Sequence, residues 1–232
     1  MTDELPDPKI AACAYARDLV RTGFETERYI VQSVTECMEE YRLLELDSLV
    51  ESSVENEIQS LLKEQVDWSH PTDCERLDQA FDDLKSRGII AQHHYTCCGT
   101  CGMFEIDLHL KYESKQGRQW RGYTFYHVQD TESAIHGNGQ FLYYGSSKDD
   151  QQESILIGHE IMEVLKDCGF DPQWDGSIEK RIFFDMSWQR PWPPKVPDVV
   201  PKGALDMYRD SLKPSKLKAL KVKLKQMFGN KK

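Results

Sequence analysis

The chain has 232 residues, 39% apolar and 29% charged, enough to bury a sizeable core as one large domain or two small ones. Its net charge of −10 is unevenly spread: from Lys195 onward 11 basic residues face 3 aspartates, +8, and the remainder carries 18 basic against 36 acidic residues, −18. A body that acidic repels phosphate backbones and disfavours nucleic acid as a partner, and no apolar run approaches the roughly 18 residues of a spanning helix.

The opening MTDELPDPK is acidic where a secretory signal is basic and then apolar. Seven cysteines are an odd number, and Cys13, Cys37, Cys74 and Cys168 are scattered through helical patterns. Both features fit reduced thiols in the cytoplasm better than a secreted disulfide framework.

Residues 7–66 show helical periodicity. Ile10, Cys13 and Ala14 lead to Leu19 and Val20; Ile30, Val34, Cys37, Met38, Tyr41 and Leu44 recur at three and four; Leu49, Val54, Ile58, Leu61 and Leu62 follow. This predicts a helical N-terminal unit over 1–68. A further helix opens at Thr72, where Glu75 has capping-box spacing, carries Leu77, Phe81 and Leu84 on one face, and stops at Gly88.

Past Gly88 the period changes. IIAQHHYT reads as a strand, Thr100 to Lys115 as a helix, RGYTFYH as a strand, and DTESAIHG as a short helix capped by Asp130 or Thr131. QFLYYGS is another strand, Gln151 to Asp167 a helix stopped by Gly169, and RIFFDM a last strand. That order predicts an α+β domain over 70–190, a ferredoxin-like (split βαβ) sandwich with helices on one face of a mainly antiparallel sheet. RPWPPKVPDVVP has five prolines in twelve residues, so 191–203 reads as a linker. Residues 204–232 form a basic amphipathic tail in which Pro214 opens a helix with Leu217, Leu220, Leu224, Met227 and Phe228 on one stripe. Over 214–232 it suits a protein partner or an anionic membrane surface; docking on the chain's own acidic body is the expectation. No oligomeric state is implied.

The stretch HHYTCCGTCG, His93 to Gly102, carries the chemistry. Cys98 and Cys101 form a CxxC between a strand and a helix, where backbone N–H groups stabilise a thiolate. A thioredoxin-type centre also needs a proline-led strand facing the motif, and Pro172 and later prolines are misplaced for that. Zinc is a second reading: Cys97 or Cys98, Cys101, His127 and one of His93 or His94 could make a tetrahedral set. His93 and His94 alternate across a strand, so at most one joins, and His94 is taken as the candidate. A right-handed crossover puts the cysteines and His127 at the same edge of the sheet. Packing is a third reading, the cysteines being small residues that let a helix start approach the sheet. Apart from zinc no cofactor is expected. HExxH spacing, a phosphate loop, a dinucleotide fingerprint and a serine elbow are all absent.

TCCGTCG at 96–102, GYTFYHVQDTESA at 122–134, LYYG at 142–145 and WDGSIEKRI at 174–182 occur in this order. Together they are similar to the bacterial family catalogued as domain of unknown function 6891, over roughly residues 70–190. The resemblance implies an α+β domain extended by the helical N-terminus and the basic tail, and assigns no catalytic residue. The expectation is a binding or regulatory module; the alternative is a thiol-redox or zinc-dependent protein using Cys97, Cys98, Cys101, His127 and His94.

Overall fold

The computed structural model describes residues 7–41, 45–194, 203–212, 216 and 218–222. Three helices open the chain: α1 (Pro8–Thr22), α2 (Glu27–Met38) and α3 (Leu46–Gln65). Asp7 and Thr26 cap the first two by accepting backbone N–H bonds, and α1 ends on Gly23 at φ 69°, a left-handed stop. Their inner faces build a separate core from Ala12, Ala16, Val20, Ile30, Val34, Val50, Val54, Ile58 and Leu61. Ile10, expected on that stripe, is 64% exposed, because the packed face of α1 runs through the small Ala12 and Ala16.

Helix α4 (Asp73–Ser86) starts with the anticipated capping box: Glu75 N–H donates to Thr72 Oγ1 at 3.2 Å and Thr72 N–H to Glu75 Oε2 at 2.8 Å. The rest alternates strand and helix: β1 (Ile89–Gln92), α5 (Gly99–Lys115), β2 (Gly122–Phe125), α6 (Val128–Ile135), β3 (Gln140–Ser146), α7 (Gln151–Asp167) and β4 (Ile182–Phe184). The fold is mixed α+β around a four-stranded mixed sheet in the order β1-β2-β3-β4. β1 pairs parallel with β2, and the two following pairings are antiparallel.

A ferredoxin-like arrangement is not established. A split βαβ unit leaves room for a strand between its parallel pair, whereas Ile90 here sits directly in register with Tyr123. Nor are the helices confined to one face. Ile89, Ala91, Leu142, Ile182 and Phe184 pack with α4 and α7, while Ile90, Tyr123 and Phe125 pack with Ile106 of α5 on the other side. β2 is buried along its whole length, the burial expected of a strand in a covered parallel pair.

The chain leaves β4 as a strap across both cores. Trp188 Nε1–H donates to Arg21 O at 2.9 Å, and Arg190 pairs with Asp78 at 2.7 Å while lying over the Phe24 ring. Gln65 exchanges hydrogen bonds with the Trp192 backbone, and Trp192 packs against the helical unit. A further helix, α8 (Ala204–Asp210), was not anticipated. It packs on α5: Leu205 N–H donates to Glu105 Oε2 at 3.3 Å, and Lys115 lies 4.5 Å from the Tyr208 ring. Its short ALDMYRD pattern is overshadowed in the sequence by the longer lysine-rich stripe. Of that stripe, Leu217, Leu224, Met227 and Phe228 lie outside the described residues, and Leu220 is half-buried. Among the described residues no helix is long and apolar enough to cross a membrane.

Candidate functional site

Two loops meet at the C-terminal ends of the parallel strands. Tyr95 N–H donates to Tyr126 O at 2.7 Å and Val128 N–H to Thr96 O at 3.0 Å, tying the segment after β1 to the segment after β2. His94 and Thr96 have φ of 47° and 60°, left-handed values that strain a residue with a Cβ. β1 stops at Gln92, so the strand alternation expected to separate His93 from His94 does not reach them.

The three cysteines come together at the start of α5, with their Sγ atoms all within 4.8 Å of one another. Cys97 is exposed, and Cys98 and Cys101 are half-buried. Cys98 is the N-cap residue, in extended conformation, and its sulfur forms no standard capping hydrogen bond. The nearby Cys101 N–H, with smaller contributions from the Cys101 and Cys97 thiols and the Thr100 N–H, nevertheless draws the Cys98 thiol below its ordinary pKa. Partial burial, followed by its two sulfur neighbours, pushes Cys101 up to about 12. One thiol of the cluster is therefore eased towards thiolate while its partner three residues on keeps its proton.

Close approach of α5 to the sheet is achieved by glycine. A Cβ on Gly99 would lie 2.1 Å from the Tyr143 hydroxyl, and one on Gly102 would lie 2.4 Å from the Phe125 ring. Phe125 and Tyr143 stack at 4.9 Å and 4°, a flat platform for the first turn of the helix. The close contact of TCCGTCG with the sheet is made at its two glycines, beside cysteines of which Cys97 is exposed and Cys98 and Cys101 are half-buried.

The histidines go elsewhere. His127 stands at the same sheet edge, its ring 5.6 Å from that of Tyr143, but it is the N-cap of α6. Its Nδ1 accepts the Asp130 N–H at 3.1 Å, and Asp130 Oδ2 accepts the His127 N–H at 3.2 Å. This reciprocal box replaces the Asp130 or Thr131 cap expected from sequence and starts α6 four residues earlier than Glu132. Burial lowers the His127 pKa, leaving Nδ1 as a lone-pair acceptor and Nε2 as the protonated nitrogen. Ligating through Nε2 would need the other tautomer and would break the cap. His94 hydrogen-bonds Thr131 Oγ1 at 2.8 Å and stacks on Phe24 at 4.7 Å. His93 hydrogen-bonds the Tyr126 hydroxyl at 2.9 Å and stacks on Phe81 at 4.2 Å. Burial first, then the nearby Arg190 charge, lowers these two to about 3 for His93 and about 4 for His94.

Among the described residues, the group of three or more side chains placed to hold a metal ion consists of Cys97, Cys98 and Cys101 alone. Sequence reasoning missed the Phe125–Tyr143 platform and the strained Thr96. The glycines at 99 and 102, one helical turn apart, were the signal for the first.

No curated protein and no solved structure matches the chain. A family match spans residues 7–191, taking in the N-terminal helices that the four motifs alone leave outside. The chain belongs to the family described as Domain of unknown function (DUF6891).

Proposed function

We propose that the protein is a thiol-dependent module that works by thiol–disulfide exchange, with Cys98 as the attacking sulfur and Cys101 as the resolving one. The observation that carries this reading is the cluster itself: three sulfurs within 4.8 Å at the first turn of α5, with Cys97 exposed and Cys98 and Cys101 half-buried. Accessible thiolates at helix starts react, and buried thiols do not. Cys74 is the internal contrast, since it is buried against α4's core partners and pushed up to about 12.

The reaction balances without a cofactor. The Cys98 thiolate attacks one sulfur of an incoming low-molecular-weight disulfide, forming a mixed disulfide and releasing one thiolate. Cys101 then loses its proton and attacks Cys98 Sγ, forming the Cys98–Cys101 bond and releasing the second thiolate. The disulfide is reduced to two thiols as the protein dithiol is oxidised. The cluster lies three residues from His94, which stacks on Phe24 where the helical unit meets the α+β domain. This favours a regulatory use, with oxidation at one end of a strained loop felt at the junction.

The test uses the full chain and oxidised glutathione. Wild type should end as an intramolecular disulfide, whereas Cys97→Ser/Cys101→Ser should accumulate a mixed disulfide on Cys98, read by mass spectrometry of peptides. Modification of Cys37 or Cys13 before Cys98 would sink the proposal.

A further inference from the structure

Exchange needs two sulfurs, and the cluster has three. We infer that Cys97, Cys98 and Cys101 form a trigonal all-thiolate site for a soft monovalent cation, copper(I), with Cys97 as the ligand that exchange does not use. The inference shares with the preceding reading the premise that these thiols are reduced and accessible, but it does not depend on exchange.

Geometry sets the coordination number. A cation about 2.3 Å from each of three sulfurs in one plane spaces them roughly 4.0 Å apart. The observed separations, at most 4.8 Å, need to contract by less than about an ångström to meet that spacing. A fourth protein ligand is missing among the described residues, because each nearby histidine is committed. The Nδ1 of His127 holds the α6 cap, and His93 and His94 are hydrogen-bonded and stacked on Phe81 and Phe24. Zinc(II) takes four ligands in closed structural sites, so three thiolates leave it incomplete. Three soft donors with nothing in the fourth position suit copper(I).

Charge and rigidity agree with this. Binding releases three thiol protons and leaves a complex of net charge −2 at the N-terminal end of α5, a 17-residue helix whose dipole favours an anion there. The first turn is seated on the Phe125–Tyr143 platform through Gly99 and Gly102, which fixes the backbone carrying Cys98 and Cys101 and leaves the contraction onto the ion to side-chain rotation. On the other side of the site, the bond from Val128 N–H to Thr96 O anchors the residue before Cys97.

The experiment is an anaerobic titration of the reduced full chain with copper(I), in competition with a chromophoric copper(I) chelator. Cys13, Cys37 and Cys168 are replaced by serine so that other thiols do not contribute. One equivalent should be withheld from the chelator, with an ultraviolet thiolate-to-copper charge-transfer band. Cys97→Ser should weaken binding at least tenfold while still forming the Cys98–Cys101 disulfide with oxidised glutathione. Circular dichroism of Cys97→Ser and of a second variant, Cys97→Ala, confirms that both are folded. Three results would overturn the inference: no copper(I) withheld, equal binding by wild type and both folded Cys97 variants, or displacement of copper(I) by equimolar zinc(II). Copper(I) binding in a chain that fails to exchange disulfides would remove the exchange reading and leave this one standing.

Discussion

His93–His94 and Cys97–Cys98 are paired residues of chemically useful types three positions apart, yet the fold gives them opposite surroundings. The histidines sit among Phe24, Phe81, Tyr126 and Arg190, uncharged and hydrogen-bonded. The cysteines cluster at the start of α5, Cys97 exposed and Cys98 and Cys101 half-buried. Between them, two left-handed residues, His94 and Thr96, redirect the chain. Nearness in sequence joins His94 to the cysteines as a candidate ligand, whereas the turn separates a structural histidine pair from the cluster of three cysteines.

The largest expected effect concerns the structural pair and pH. His93 faces Asp78 of α4 at 3.5 Å, the Tyr126 hydroxyl and the Arg190 charge, and His94 faces Thr131 and the same arginine. Both have folded pKa values below the usual 6.5, about 3 and about 4. Below about pH 6.5 the unfolded chain therefore binds protons that the folded chain refuses, and stability falls as pH drops towards those values. The pair should contribute up to several kcal/mol of this loss. Chemical denaturation of wild type and His94→Phe at a series of pH values measures it, and the variant should show a shallower slope. Equal slopes would mean that the ring is not held neutral by burial.

Next in size is the seating of α5. Gly102→Ala places a methyl against the Phe125 ring and should cost about 1–3 kcal/mol, the usual penalty for overpacking. Urea unfolding reads this directly. Gly117→Ala is a useful reference, since nothing lies within 4 Å of its added Cβ and the cost there comes from φ 81° alone. If Gly102→Ala is as stable as wild type, the helix start is not seated on the sheet as described.

The smallest effect belongs to Cys97. Cys97→Ser alters an exposed side chain and should change stability by less than about 0.5 kcal/mol. Cys74→Ser buries a hydroxyl in the α4 core and should cost about 1–3 kcal/mol. Thermal unfolding of the two variants side by side makes the contrast, and equal losses would place Cys97 in the core.

Much of the fold was legible because its signals are local. Thr72 and Glu75 announce their helix three residues apart, Gly88 ends it, and the alternation of short β-rich runs with longer periodic ones orders the strands and helices after it. What the sequence left unread depends on tertiary choices. Whether Ile89 or Ile90 faces a helix cannot be decided when both faces of β1 are covered, so the second layer under α5 went unseen. His127 acts as a cap through an acceptor nitrogen that only its tautomer defines, and Asp130, three residues on, answers it in the place usually held by glutamate. The cysteine cluster was legible as a motif; its partial exposure was not, because the same seven letters also hold the two glycines that make the contact.

The account rests on the claim that Cys97, Cys98 and Cys101 are a reactive trio and not packing residues. Residue-resolved alkylation of the native, reduced chain, with limiting iodoacetamide and peptide mass spectrometry, tests it most directly. Cys98 should be labelled first and Cys74 last, with Cys98 outpacing the exposed but isolated Cys37. Labelling of Cys98 no faster than Cys74 would contradict it.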